Sequence, residues 1–348
     1  MRTRVFPDGT AVSAIGAGDV SLATAALRNV HAGDVARALE TALDLGITFF
    51  DVAAEPDAER LVGQLVRARR LRDQVVVATR VPMVRDHFGV VIREVLDERL
   101  PPAHVQATVE ASLRATALDV LPLVQLALRP SWLRAAAWPE LAETCERLVR
   151  EGKVVRWGAY EIEDVDQRPL EPDEPPPPSA LDAPWLVTRL MPLSMCERSA
   201  LGGPRSAPEG ERGSIERKAT TEKLLLAQRP LAGGALAGAL GPGAKLAIKD
   251  DRLDVDAAMM IRYAVMAARL APFVKQVPAS ARSCVEARGY LEQGVRPERV
   301  ECQTLAELAL RWVIDRGALA LPRLHRAEHV LEAVGAGMAP TLAYDPVS

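Results

Sequence analysis

Apolar and polar positions along the chain follow two different rhythms. Short runs rich in β-branched residues, such as QVVVAT at 74–79, are typical of strands that are covered on both faces. Longer segments, such as 31–45, have apolar residues three and four positions apart, which predicts amphipathic helices. A hairpin is predicted around Pro7-Asp8-Gly9. After it we count eight strand candidates, near residues 14, 48, 76, 123, 156, 187, 225 and 319.

The alternation of strands and helices predicts a parallel sheet with covering helices. A (β/α)8 TIM barrel and an open doubly wound sheet both fit this pattern. The first strand candidate is not followed by G-x-G-x-x-G, which weighs against a dinucleotide-binding doubly wound sheet. The length of 348 residues suits one large barrel, so we predict a single domain over residues 1–348.

Two stretches of the second half interrupt the pattern. Residues from about 168 to 184 include four successive prolines, 175–178, which exclude a helix or a central strand and predict a solvated polyproline insertion. Residues from about 196 to 220 are rich in Gly, Ser and charged residues, which predicts a flexible loop. Aromatic grooves of partner proteins can bind polyproline, so this insertion is where we would first look for a protein partner. A stiff, solvated loop is the simpler interpretation.

Charge and cysteine usage narrow the classes of function. The net charge of −3 and the pI of about 6.1 argue against a dedicated nucleic-acid-binding protein. We find neither a leader pattern at the start nor an apolar run of the roughly 18 residues that span a bilayer. The four cysteines are far apart and form no C-x-x-C pair, which is typical of a reducing compartment. We therefore expect a cytoplasmic protein that binds neither nucleic acid nor membrane.

Several segments resemble the aldo-keto reductase family in the order in which the family has them. DLGITFFDVAAEPDAERLVG at 44–63 resembles the second strand and the loop after it. LVREGKVVRWG at 148–158 resembles the entry to the fifth strand, and PLAGGALAG at 230–238 resembles a glycine-rich loop. The resemblance extends from about residue 8 to 338. It implies a (β/α)8 barrel, an NADP(H) cofactor and carbonyl reduction.

The resemblance also assigns the four catalytic positions of the family. There, a tyrosine gives a proton to the carbonyl oxygen, a lysine paired with an aspartate lowers the pKa of that tyrosine, and a histidine orients the carbonyl. Asp51 matches the aspartate, whereas Arg80, Pro56 and Ala127 stand in place of the lysine, tyrosine and histidine. Proline and alanine have no proton to give, and arginine stays charged. The resemblance therefore predicts a reductase fold with most of its catalytic tetrad replaced.

The cofactor positions are only partly retained. The resemblance assigns them to Glu161, Thr188, Arg229, Leu231, Gly233, Arg323, Arg326, His329 and Glu332. At the nicotinamide end, Met191 replaces the usual stacking aromatic residue. At the adenosine-phosphate end, basic residues at the start of a helix form a competent anion site, or else a solvated basic surface. The sequence leaves NADP(H) binding open.

Three interpretations of the function stay open because a fold does not determine a function. The first is a degenerate or repurposed barrel that binds a small molecule at its carboxyl-terminal mouth or binds a protein partner. The second is an NADP(H)-dependent oxidoreductase of carbonyl or alcohol substrates, with Tyr160 as a displaced proton donor beside Asp51 and Arg80. The third is a non-redox enzyme. We favour the first because three catalytic positions are replaced together. The histidine spacing predicts no metal site.

Overall fold

The computed structural model describes residues 1–86, 92–162, 183–198, 223–238, 257–276 and 302–347. At its start, β1 (Thr3–Val5) pairs antiparallel with β2 (Ala11–Ser13), which confirms the predicted hairpin. The four prolines at 175–178 lie outside the described residues, as does most of the loop predicted near 196–220.

Eight parallel strands form the barrel. They are β3 (Ala17–Val20), β4 (Phe49–Val52), β5 (Val76–Val81), β6 (Leu123–Leu128), β7 (Trp157–Glu161), β8 (Leu186–Pro192), β9 (Leu224–Gln228) and β12 (Leu319–Leu321). Each is hydrogen-bonded to the next. The barrel closes because Ile15 bridges Ala320 and the N–H of Gly18 donates to the carbonyl of Pro322 over 2.9 Å. The predicted (β/α)8 barrel is confirmed, although the first strand begins at Ala17 instead of near residue 14.

Helices and one small extra sheet surround the barrel. The helices are α1 (Leu22–Leu27), α2 (Ala32–Asp44), α3 (Pro56–Ala68), α4 (Leu96–Arg99), α5 (Pro102–Thr116), α6 (Trp138–Arg150), α7 (Ala257–Leu270), α8 (Leu305–Asp315) and α9 (Ala327–Met338). A separate two-stranded sheet pairs β10 (Val274–Gln276) with β11 (Cys302–Thr304). Among the described residues, no helix combines the length and the apolar character needed to cross a bilayer.

Local sequence explains where the main helices begin. Proline stands in the first turn of α3, α5 and α6, where its missing N–H costs nothing and its fixed φ favours the helix. Thr304 caps α8 by accepting a hydrogen bond from the N–H of Glu307 over 3.1 Å. These signals lie next to each helix in the chain, so the sequence predicts these helices well.

Side chains that alternate along the strands divide the core into two layers. The inner layer includes Phe49, Ala78, Leu123, Leu190, Leu226 and Leu321, with Phe6 and Val12 of the hairpin packed against the amino-terminal end of the barrel. The outer layer packs Leu126 and Ala159 against Val109 of α5 and Leu148 of α6. Polar side chains such as Asp19, Asp51 and Arg80 lie toward the carboxyl ends of their strands, at the end of the barrel where barrel sites are found.

Candidate functional site at the barrel mouth

A chain of ion pairs crosses the mouth of the barrel. The Nε of Arg80 lies 3.3 Å from Oδ1 of Asp51, and the Nη2 of Arg80 donates to Oδ2 of the same carboxylate. The Nη1 of Arg80 also reaches Oδ1 of Asp19 at 3.5 Å. Arg323, which follows β12, donates from Nε to Oδ2 of Asp19 over 2.9 Å. Two guanidinium groups and two carboxylates thus join β3, β4, β5 and the end of β12, and their formal charges cancel.

Asp51 is the most enclosed member of this cluster, with 1% of its surface exposed. Besides Arg80, it accepts a bond from Nε2 of Gln125 over 3.2 Å and one from the N–H of Asp19 over 3.1 Å. Gln125 lies on β6, two strands away in the sheet order, so this bond crosses the barrel interior. A carboxylate has about four lone-pair sites, and all of these are used. The carboxylate of Asp51 is therefore held in place by four hydrogen bonds.

The electrostatics favour the charged forms of Arg80 and Asp19. Burial lowers the pKa of Arg80, but the carboxylates of Asp51 and Asp19 outweigh burial, so this pKa lies above its ordinary value. Burial raises the pKa of Asp19, but the charges of Arg323 and Arg80 outweigh it and hold this pKa below its ordinary value. Neither side chain is a proton donor near neutral pH.

Tyr160 is brought to this cluster, as the sequence predicts for a residue at the end of the fifth strand. The guanidinium carbon of Arg80 lies 5.2 Å from the centre of the Tyr160 ring, within the range of a cation–π contact. Tyr160 is the register partner of Ala127 on β6. The histidine position of the resemblance is thus a buried methyl group beside the tyrosine ring.

The tyrosine position of the resemblance has become part of a helix start. Pro56 is the first residue of α3. The residue before it, Glu55, accepts hydrogen bonds from the hydroxyl of Ser21 over 2.7 Å and from the N–H of Ala23 over 3.1 Å. This loop therefore anchors the start of α1, and Pro56 supplies no group for chemistry.

The resemblance assigns Glu161 and Thr188 to the nicotinamide end, but their side chains do not face the mouth together. Glu161 forms a two-point ion pair with Arg189 on β8, with N–O distances of 2.6 and 2.9 Å. Successive residues of β7 point to opposite faces, so Glu161 lies on the same face as Ala159, and Gly158 and Tyr160 lie on the other. Because Ala159 packs in the outer layer, the side chain of Glu161 points away from the barrel interior.

Thr188 is fully buried, and its hydroxyl has no hydrogen-bond partner among the described residues. A Cβ built on Gly158 would lie 1.9 Å from this hydroxyl oxygen, so Thr188 fills the space over that glycine. The Oε1 of Gln125, whose side chain lies beside Gly158, is also buried with no hydrogen-bond partner among the described residues. The Thr188 hydroxyl is therefore not part of the accessible surface of the mouth.

The residues assigned to the phosphate end lie after β9 and at the start of α9. Arg229 and Gly233 have φ values of 56° and 65°, which mark the tight loop that contains Leu231. Arg326 is the residue before α9, and both it and His329 are exposed. Glu332 accepts a hydrogen bond from the hydroxyl of Thr304. Arg323, in contrast, is held by Asp19.

Comparison with known proteins identifies the family. Residues 14–186, close to half of the chain, match the model of the Aldo/keto reductase family. On this match, residues 14–186 belong to the aldo/keto reductase family. No curated protein matches the chain significantly.

Solved structures of aldo/keto reductases share the fold of this chain over nearly its whole length. An aldo-keto reductase from Klebsiella pneumoniae in complex with NADPH is 23% identical and has a TM-score of 0.55, covering 99% of this chain and 92% of its own. The glycerol dehydrogenase from Gluconobacter oxydans is 19% identical with a TM-score of 0.64, and the coverages are 98% and 91%. The holo form of an aldo-keto reductase from Bacillus halodurans is 20% identical with a TM-score of 0.57, and the coverages are 99% and 93%. At these identities the likeness shows the fold alone.

The residues present in this chain do not fit a complete NADP(H) molecule. The exposed Arg326 and the start of α9 suit a phosphate. At the nicotinamide end, however, the hydroxyl of Thr188 is buried and Glu161 points to the outer layer. Among the described residues, we also find no cluster of side chains suited to a metal ion.

Sequence reasoning missed two residues of this aldo/keto reductase-family site, Asp19 and Gln125. The signal for Asp19 was its place directly after Gly18, near the carboxyl end of the first barrel strand. The signal for Gln125 was a polar residue within the apolar run 123–128, where both faces of the strand are covered.

Proposed function

We propose that this protein does not reduce carbonyl compounds and acts as a binding protein. The mouth of the barrel is the surface that binds its ligand or partner. The observation that carries the proposal is the ion pairing of Arg80 with Asp51 and Asp19, at the position where the family has a lysine. Its guanidinium is a permanent cation, which stabilises neighbouring anions but does not exchange protons.

Carbonyl reduction needs an acid within about 3 Å of the carbonyl oxygen. Pro56 and Ala127 have no acidic proton, and both oxygens of Asp51 are already hydrogen-bonded. These three positions therefore support a site without general acid catalysis.

A neutral, polar mouth suits binding. The side chains of Arg80, Asp19 and Arg323 are 12%, 20% and 27% exposed, so their pairs form part of the accessible surface. Because the charges of the cluster cancel, we propose a neutral polar small molecule as its ligand, or a polar segment of a protein partner. We do not propose nucleic acid or membrane as partners.

One observation favours a second candidate, an NADP(H)-dependent oxidoreductase with displaced groups. Tyr160 contacts Arg80, and Arg80 contacts Asp51, so a phenol, a cation and a carboxylate lie next to one another in space, in that order. In this candidate Tyr160 replaces the missing proton donor. It requires a cofactor to bind despite the buried hydroxyl of Thr188.

Turnover by matched variants tests the proposal. Wild-type protein and Tyr160→Phe are incubated at high concentration with NADPH and a panel of aldehydes, ketones and sugars. The binding proposal predicts no consumption of NADPH above the protein-free rate for either protein. Turnover by the wild type that is lost in Tyr160→Phe would establish the second candidate instead.

A further inference from the structure

Asp19 occupies an unusual place in the cluster at the mouth. It lies near the carboxyl end of β3 with φ of 47°, in the left-handed region that few non-glycine residues adopt. Its N–H points to Asp51, whereas its side chain turns to Arg323 and Arg80. A residue that keeps such a conformation at a site is held there by its contacts, and outliers of this kind cluster at functional sites.

The carboxylate of Asp19 is shared between two arginines. Arg323 donates to its Oδ2 from both Nε and Nη2, and Arg80 approaches its Oδ1. This arrangement, in which guanidinium groups converge on two oxygens, is also how proteins bind a phosphate or a carboxylate ligand. Asp19 thus stands where an anionic ligand of these two arginines would stand.

We propose that Asp19 is a built-in anion that excludes anionic ligands, dinucleotide phosphates among them, from the mouth of this barrel. Its negative charge keeps the sum over Asp19, Asp51, Arg80 and Arg323 at zero, so the mouth offers no net attraction to a phosphate. Removing that one charge leaves the cluster at +1 and releases donors of Arg80 and Arg323. The proposal deepens the proposed function, because a barrel that excludes dinucleotide phosphates from its mouth cannot reduce carbonyl compounds with NADP(H).

Binding by charge-altered variants tests this proposal. Asp19→Asn removes the charge and keeps the shape of the side chain. Asp315→Asn is the matched control, because Asp315 is ion-paired with Arg2 at 2.6 Å and its loss changes the net charge of the protein equally. Titration calorimetry measures the binding of NADPH and, separately, of inorganic phosphate to each full-length protein.

We expect Asp19→Asn to bind both anions at least about tenfold more tightly than wild type, because a like charge beside a phosphate costs more than one power of ten. Asp315→Asn should bind as the wild type does. The double variant Asp19→Asn with Arg323→Met should lose most of this increase in affinity. Tighter binding of NADPH without tighter binding of inorganic phosphate would contradict the proposal, because the released arginines should bind the phosphate group itself.

A second variant guards against poor folding of Asp19→Asn. Asp19→Gly also removes the charge, and glycine adopts the left-handed backbone without strain. If either variant has a cooperative thermal transition and yet binds both anions no more tightly than wild type and Asp315→Asn, the proposal is wrong. Micromolar binding of NADPH by the wild type would also overturn it, while leaving the proposed lack of carbonyl reduction to be decided by turnover.

Discussion

The guanidinium group of Arg80 contacts the ring of Tyr160, 5.2 Å from its centre, and is at the same time ion-paired with Asp51. A phenol, a cation and a carboxylate therefore follow one another across the mouth. The phenol comes from β7 instead of the loop after β4, and the cation cannot lose its proton near neutral pH. The three groups stand in the order of a proton-transfer chain. Because the cation in the middle keeps its proton, we interpret them as a fixed electrostatic cluster.

Removing the cation should destabilise the fold strongly. Arg80→Met leaves the buried carboxylate of Asp51 without its charge partner, and breaking a buried pair in this way costs about 3–5 kcal/mol of unfolding free energy. Urea unfolding at pH 7 measures the change. Arg60→Met, which breaks an exposed pair with Asp57, is the control and should change stability by less than about 1 kcal/mol. Equal effects of the two substitutions would show that the Arg80 pair has no special role.

The unpartnered hydroxyl of Thr188 should be a source of instability. Thr188→Val replaces the buried hydroxyl by a methyl group of similar size and should stabilise the fold by about 1 kcal/mol, because the polar group no longer lacks a partner. The melting temperature and the urea midpoint should both rise. A clear loss of stability would mean that the hydroxyl has a partner, such as an ordered water molecule, that the protein groups do not reveal.

Gly158 should tolerate no side chain while Thr188 is present. A Cβ at Gly158 would lie 1.9 Å from the Thr188 hydroxyl, so Gly158→Ala should cost about 1–3 kcal/mol or more. Adding Thr188→Ala to this variant should recover part of the loss, since it removes the clashing atom. A double-mutant cycle measures this coupling, and strict additivity of the two effects would contradict the clash.

The buried imidazole of His325 predicts a loss of stability in acid. Burial, with a further contribution from Arg323, lowers the pKa of His325 from 6.5 to about 4. Below about pH 6.5, the unfolded chain therefore binds a proton that the folded protein does not bind, and the free energy of unfolding falls as the pH falls. This one group should cost about 2 kcal/mol between pH 7 and pH 5.

Urea unfolding at several pH values tests the role of His325. His325→Gln should lose this part of the pH dependence, whereas His31→Gln, at an exposed position, should keep it. An unchanged slope in His325→Gln would show that other groups cause the sensitivity to acid.

The sequence predicts the barrel well because its signals are local. The helix predicted at 31–45 forms as α2, Ala32–Asp44, within one residue of the predicted bounds. Helix α1 was missed because it has six residues, and its start depends on hydrogen bonds that Ser21 and Ala23 donate to Glu55, far along the chain. Short elements held by distant partners carry little periodic signal of their own.

The candidate site is less predictable, because its contacts join residues that are far apart in the chain. The pairing of Asp19 with Arg323 joins the first and last barrel strands, and no local pattern marks it. The resemblance correctly led to Asp51 and Arg80 as a pair. The direction of Glu161 followed only from the alternation of inner and outer residues along β7, once the bounds of that strand were known.

The measurement that tests the central claim most directly is NADPH oxidation by wild-type protein, at high enzyme concentration, with a broad panel of carbonyl compounds. The proposed binding role predicts a rate equal to that without protein for every compound, in the wild type and in Tyr160→Phe alike. Repeated turnover by the wild type that disappears in a well-folded Tyr160→Phe variant would contradict the claim and establish Tyr160 as the proton donor of a working reductase.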